Sequence, residues 1–391
     1  MKQILLIPEL FELISDKLSL TSSQRLTTCN KLTYSMRDFI RFNDYYICSK
    51  PQDYSVYFFG SIRKINIKVN FNESNNNLRL YRNIVPYMFP PNLTHLKINF
   101  PSLLINFKDC IPSTLKKLTI EQQEPNQIKY SIDSIMELIM EDSITHLILI
   151  GDFYLEKDIS IPKSLISLAL SGNSSYYNCD FSESNLKRLN LGNGFNSLIT
   201  FPSESKLTHL SFGNIFNKYF DLSSLSNLLH LTFGDKFNDW IDISCLVLLT
   251  NLTFGRDFNS EIYFPPKPKI SSLTFGEKYN RPIDLSGLPL INLTFGNNFN
   301  QQINISTQEL TKLTLGKNFN QSLDGIFFPK LTSLSFGLES FYNRLLEKSS
   351  FPKLLTLSYG IWFDLPIKNN MPPDLKYLYL GNFLVSSIFY K

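Results

Sequence analysis

Apolar and polar positions in this chain repeat over a unit of about 21 residues, longer than the period of any single helix or strand. In the copy that runs from Leu228 to Ile243, Leu231 and Phe233 flank Thr232, which is the alternation of a strand with one face buried. Gly234 closes that strand. Phe237 and Asn238 follow, and the chain returns through the short apolar segment Ile241-Asp242-Ile243. A turn then leads to the next strand, often with proline, as in Phe328-Pro329-Lys330-Leu331. The glycines mark the period: Gly192, Gly213, Gly234, Gly255 and Gly276 are 21 apart, Gly296 and Gly316 follow at 20, and Gly337, Gly360 and Gly381 at 21, 23 and 21. Looser copies start at Leu93, Leu115, Ile144 and Leu165, with a further one at Ile62. The 29-residue step from Leu115 to Ile144 holds an insertion, and its segment 132–140 has helical apolar spacing.

No such unit can bury its own apolar face, so the pattern predicts stacked coils that rise by one strand spacing, about 4.8 Å. Each column of the repeat then has a meaning. Thr or Ser between the two apolar strand residues (Ser211, Thr232, Thr253, Thr274, Thr294, Thr314, Ser335) suits a parallel sheet. The recurrent glycine calls either for positive φ or for close backbone approach. The Asn column, Asn196, Asn217, Asn238, Asn259, Asn280, Asn300 and Asn320, is expected to face inward as a structural ladder, because an amide can both donate to and accept from backbone groups of adjacent coils. A ligand-binding row of asparagines is the alternative.

The unit L-x-x-L-x-F-G-x-x-F-N-x-x-I resembles the FNIP repeat, a relative of leucine-rich repeats found in social amoebae and amoeba-infecting giant viruses. The clearest copies span 186–337. The resemblance implies a β-rich solenoid of leucine-rich-repeat-like coils with parallel strands, here expected over 93–391.

Residues 4–40 do not fit the repeat. Leu10, Leu13, Ile14 and Leu18 share one helical face, with Pro8 suited to the first turn. Further short helices are expected near Ser22 and from Tyr34 to Phe42. The order Ile7-Pro8-Glu9-Leu10, Ile14, Leu18, Cys29, Lys31 resembles an F-box, so residues 1–45 are expected to form a small α-helical domain and 46–92 a linker or N-terminal cap. F-box domains before repeats resemble substrate receptors of cullin–RING ubiquitin ligases. That resemblance implies a Skp1-like linker protein bound through Ile7, Pro8, Leu10, Ile14 and Leu18, a cullin beyond it, and a target protein held by the repeats. The alternative is a helical segment that only caps the first coil of a plain interaction scaffold.

Composition narrows the reading further. The chain has 391 residues, 38 Lys plus Arg, 34 Asp plus Glu and a net charge of +4, too small and too evenly spread for nucleic-acid binding by charge. Five scattered cysteines without a CxxC pair fit a reducing, intracellular compartment. No apolar run reaches the 18 residues or so of a membrane span, and the first residues lack the pattern of a signal peptide. Nucleotide-binding, zinc-hydrolase and serine-hydrolase motifs are absent, and outward strand positions offer no acidic pair. No enzyme activity and no cofactor are expected. The four histidines, His95, His146, His209 and His230, all occupy the position before the second leucine. Unit duplication alone accounts for that. A mildly basic recognition stripe is the sharper alternative, along the column Arg188, His209, His230, Asn251, Ser272, Asn292 and Lys312. The charged pairs after each glycine, such as Asp235-Lys236 and Arg256-Asp257, are further variable positions.

Overall fold

The computed structural model describes residues 46–48, 64–67, 92–98, 112–121, 130–131, 135, 143–151, 153–154, 161–172, 179–305, 308–366 and 371–385. The chain divides into two compact units, residues 1–186 and 187–391. In the first, the strands Tyr46–Cys48, Lys64–Ile67, His95–Ile98, Lys117–Glu121, His146–Ile150 and Ser167–Ser171 pair in sequence order, all parallel. Residues 46–92, expected to be a linker or cap, thus include two strands of the same sheet. The F-box residues Ile7, Pro8, Leu10, Ile14 and Leu18 lie outside the described residues, as does most of the helix-like 132–140 insertion.

The second unit repeats the scheme with greater regularity. Strands Arg188–Asn190, His209–Ser211, His230–Thr232, Asn251–Thr253, Ser272–Thr274, Asn292–Thr294, Lys312–Leu315, Ser333–Phe336, Thr356–Tyr359 and Tyr377–Leu380 follow one another in parallel. A short antiparallel strand, Phe383–Leu384, follows the last of them. On the return side, Ile241–Asp242 pairs with Ile262–Tyr263, and Asp284–Leu285 with Asn304–Ile305. Parallel neighbours require a connection that goes round the coil, and the 20- to 23-residue period supplies it.

Two aromatic columns fill the interior of this unit. Phe212, Phe233, Phe254, Phe275 and Phe295 stack with centroids 5.2 to 5.8 Å apart. Phe195, Phe216, Phe237, Phe258, Tyr279, Phe299, Phe319 and Tyr342 form a second column at 5.8 to 6.2 Å. Within a coil the two columns meet face to face, as in Phe254–Phe258 at 3.8 Å. These rings are almost wholly buried, so area burial and ring stacking, about 0.5–1.5 kcal/mol per pair beyond area, both tie each coil to its neighbours. Leucine takes the place of phenylalanine in the first column at Leu191, Leu315 and Leu380, the first two fully buried.

From Gly213 to Gly316 the repeated glycine is explained by close approach and not by φ, whereas Gly381 has positive φ. A Cβ built on Gly234 would lie 2.2 Å from the carbonyl oxygen of Gly213, and one on Gly255 would lie 2.2 Å from that of Gly234. Positive φ among the described residues is confined to Gly151, Gly172, Gly325 and Gly381. The backbone therefore stacks directly on itself where each strand ends, and no side chain fits between the layers.

Candidate functional site

The sheet of the second unit turns scattered sequence positions into one line. Arg188 pairs with His209, His209 with His230, His230 with Asn251, Asn251 with Ser272, Ser272 with Asn292, and Asn292 with Lys312. The leucine after each member is buried, so these side chains stand on the outer face. Arg188, Asn292 and Lys312 are exposed and the other four half-buried by their neighbours. In the first unit the same column holds His95, Lys117, His146 and Ser167, also in register.

His209 and His230 stack with ring centroids 4.2 Å apart and planes 15° from parallel. Burial, then the His230 ring, then the Arg188 guanidinium hold the His209 pKa below its ordinary value. The residue before this column fixes the rings. Thr208 Oγ1 donates to the Lys187 carbonyl at 3.0 Å and lies 2.9 Å from His209 Nδ1. A hydroxyl has one proton, so with that proton on the carbonyl, Nδ1–H must donate to Oγ1, leaving Nε2 as the lone-pair nitrogen. Thr145 and His146 repeat this arrangement, at 3.2 Å to the Lys116 carbonyl and 2.9 Å to Nδ1. Thr250 stands at the same place beside Asn251, its hydroxyl 3.0 Å from the Leu229 carbonyl oxygen and 2.8 Å from Asn251 Oδ1, both of them acceptors. This threonine column, absent from the sequence-based expectations, ties the side chains that follow it to a carbonyl of the preceding coil.

The Asn column is a ladder of a different kind from the expected one. Each side-chain oxygen accepts from the backbone N–H of the next asparagine: Asn217 to Asn196 at 2.9 Å, Asn238 to Asn217 at 3.0 Å, Asn259 to Asn238 at 2.7 Å, and Asn280, Asn300 and Asn320 each to its predecessor at 2.9 Å. The expectation that these groups face inward is corrected, since all but the half-buried Asn300 are exposed. The buried partner in this segment is the preceding aromatic ring, and the asparagine lies just past it, on the rim of the turn.

The charges after each glycine pair with one another. Asp257 meets Lys236 at 2.9 Å, Lys278 at 3.0 Å and Arg256 at 3.2 Å. Hydrogen bonds from Lys236, Arg256 and Lys278 hold its carboxyl well below the usual carboxylate range. Solvent and salt screen such exposed pairs, so they add little to stability. Among the described residues, no group of three or more His, Cys, Asp or Glu is placed to hold a metal ion, and no helix is long and apolar enough to cross a membrane.

Sequence reasoning missed one further surface. On the return side, Tyr219, Trp240 and Tyr263 are 62%, 49% and 52% exposed and lie in ring contact along successive coils. The signal was present, since Tyr219 and Trp240 each stand two positions after an asparagine of the ladder.

Residues 299–339 match the family model for the FNIP repeat. No curated protein matches the chain. Among solved structures, the chain is similar to CroV588, described as a novel circular LRR protein structure, at 24% identity over 83% of this chain, with a TM-score of 0.46. It spans 58% of that chain's length. It is also similar to an internalin, InlF of Listeria monocytogenes, at 15% identity over 80% of this chain and 92% of the other, with a TM-score of 0.46. A third likeness is to TLR13 in its complex with ssRNA13, at 15% identity over 84% of this chain and 58% of the other, with a TM-score of 0.36. Each unit of the chain is a stack of repeated coils whose strands pair in parallel.

Proposed function

We propose that this protein is a non-catalytic interaction scaffold that recognises a partner protein on the sheet face, along the column from Arg188 to Lys312. The observation that supports the reading is the unbroken register of that column: seven outward side chains of differing chemistry stand on strands whose buried leucine and following Thr or Ser recur in most coils. Variable exposed positions on a fixed frame are where repeat proteins place specificity. Its basic end, Arg188 with His209 and His230, favours an acidic or phosphorylated target segment. The test compares pull-downs on wild-type protein and an Arg188→Ala/His209→Ala/His230→Ala variant, with quantification of each captured protein. Selective loss of captured proteins is expected. Equal recovery of every one would exclude this face.

The finer reading is an adaptor of a cullin–RING ubiquitin ligase, in which residues 1–45 hold a Skp1-like protein and the solenoid holds the target. It rests on the F-box-like order of Ile7, Pro8, Leu10, Ile14 and Leu18 in the sequence. Replacing Ile7 and Pro8 with aspartate should abolish co-purification with a Skp1-type protein while the solenoid stays folded by circular dichroism. Unchanged co-purification would leave the plain scaffold.

A further inference from the structure

The return side of the second unit differs in chemistry from its sheet face. Tyr219 and Trp240 lie 6.0 Å apart with planes inclined by 37°, and Trp240 and Tyr263 lie 6.2 Å apart at 85°. Rings set at such angles do not form a flat platform. They form two walls of a notch. Four carboxylates border it: Asp221, Asp239, Asp242 and Glu261. The only cations beside them are Lys218 and Arg281.

Local bonds hold these carboxylates in place. Asp221 accepts from Ser223 N–H at 2.9 Å and from Ser223 Oγ at 2.8 Å. Asp242 accepts from Ser244 N–H at 2.8 Å, and Asp239 from Trp240 N–H at 2.9 Å. The serine hydrogen bonds keep the Asp221 and Asp242 carboxyls below the usual range, so both are anionic at neutral pH. Glu261 accepts from the Tyr263 hydroxyl at 3.1 Å and from Arg281 at 2.8 Å, whereas Asp221, Asp239 and Asp242 form no salt bridge among the described residues. A cleft of about 200 Å³ opens between Tyr219, Asp221, Asp239, Trp240 and Asp242.

An aromatic ring attracts a cation over its face, and carboxylates beside it add to that attraction. We propose that this notch binds an extended, arginine- or lysine-bearing segment of a partner protein, with a cationic side chain seated against Trp240 and paired with Asp239 or Asp242. Charge complementarity selects the occupant, because an acidic segment would meet the carboxylates of Asp221, Asp239 and Asp242, whereas a cationic one would be attracted by them. The site is separate from the sheet-face column and does not depend on that reading.

The test uses the full chain carrying Trp362→Phe, which leaves Trp240 as the only tryptophan of the two. The probe is a capped hexapeptide of alternating arginine and serine. A glutamate–serine peptide and a neutral hexasaccharide serve as controls. The basic peptide should change Trp240 emission saturably, and more weakly at high salt. By calorimetry, Trp240→Ala and the pair Asp239→Asn/Asp242→Asn should each weaken it about tenfold, as loss of a central anchor does. Arg188→Ala should leave it unchanged. The Asn substitutions keep an oxygen for the Ser244 and Trp240 N–H groups, so they decide the matter if Trp240→Ala unfolds. No saturable response to the basic peptide, an equal response to the acidic one, or a response to the sugar alone overturns the proposal.

Discussion

The imidazoles of His209 and His230 lie face to face across adjacent coils, 4.2 Å between centroids. Two charges cannot both be accommodated there without repulsion, and Arg188 adds a third. Burial first, then these two neighbours, hold the His209 titration below the ordinary value of about 6.5. His230→Gln and Arg188→Ala should each raise it toward that value, read from imidazole chemical shifts in solution NMR. A neutral neighbour that leaves the His209 titration unmoved would exclude the coupling.

The same depression has a stability consequence. Between the folded and unfolded values the unfolded chain binds more protons, so stability rises with pH. The contribution is fully present above about pH 6.5 and is lost as pH falls through the lower folded-state value. Wild type should lose more melting temperature than His209→Gln between pH 7.5 and 5.5. Binding of an acidic partner runs the other way: it should weaken as pH rises over that interval, most of the change falling at its acid end.

Gly234→Ala tests the stacked backbone. Its Cβ would stand 2.2 Å from the Gly213 carbonyl oxygen, and backbone cannot move aside as a side chain can. The cost should reach about 3 kcal/mol or more in denaturant unfolding. Gly287→Ala is the control, because nothing lies within 4 Å of its Cβ position. It should be neutral, or stabilising by up to about 1 kcal/mol through the unfolded chain.

Asn238→Ala removes one rung of an exposed ladder. The N–H of Asn259 then turns to water, so the expected cost is about 0.5–1 kcal/mol and not the larger penalty of a buried orphan. Asn238→Asp keeps the acceptor and should recover most of it. A loss of about 3 kcal/mol in the alanine variant would mean the rung is shielded from solvent.

Phe254 touches Phe258, Phe233 and Phe275 and is buried. Phe254→Ala should cost about 3–5 kcal/mol by chemical denaturation. Phe254→Leu should cost distinctly less, because the chain itself tolerates leucine at the equivalent Leu315.

The strand register was legible because Leu228, Leu231, Phe233 and Gly234 keep fixed spacing in every clear copy, and buried apolar residues cannot slip by one place without turning outward. The glycine left two explanations open, since a sequence does not distinguish a special φ from a close neighbour 21 residues away. The ladder of Asn238 was visible but its exposure was not, because the periodicity of a strand stops at Gly234 and says nothing about which way a turn residue points. Thr208 was overlooked for a related reason: its role lies in a carbonyl of the previous coil. Tyr219, Trp240 and Tyr263 differ from coil to coil, so a search for sameness passed over them.

Under the proposed function, the in-register column from Arg188 to Lys312 would be read by a partner as text, one letter per coil at intervals of about 4.8 Å. Each letter sits on a leucine that does not change with it, so a single substitution rewrites one character and leaves the page intact. Duplication of a coil lengthens the message without shifting the frame. A partner that reads several letters at once must present groups at a matching pitch, which an extended strand laid along the axis cannot do with every side chain, since its own same-face residues recur at about 6.6 Å. Such a strand falls out of step after a few coils, so the length of a readable message is set by this mismatch in spacing and not by the number of coils available.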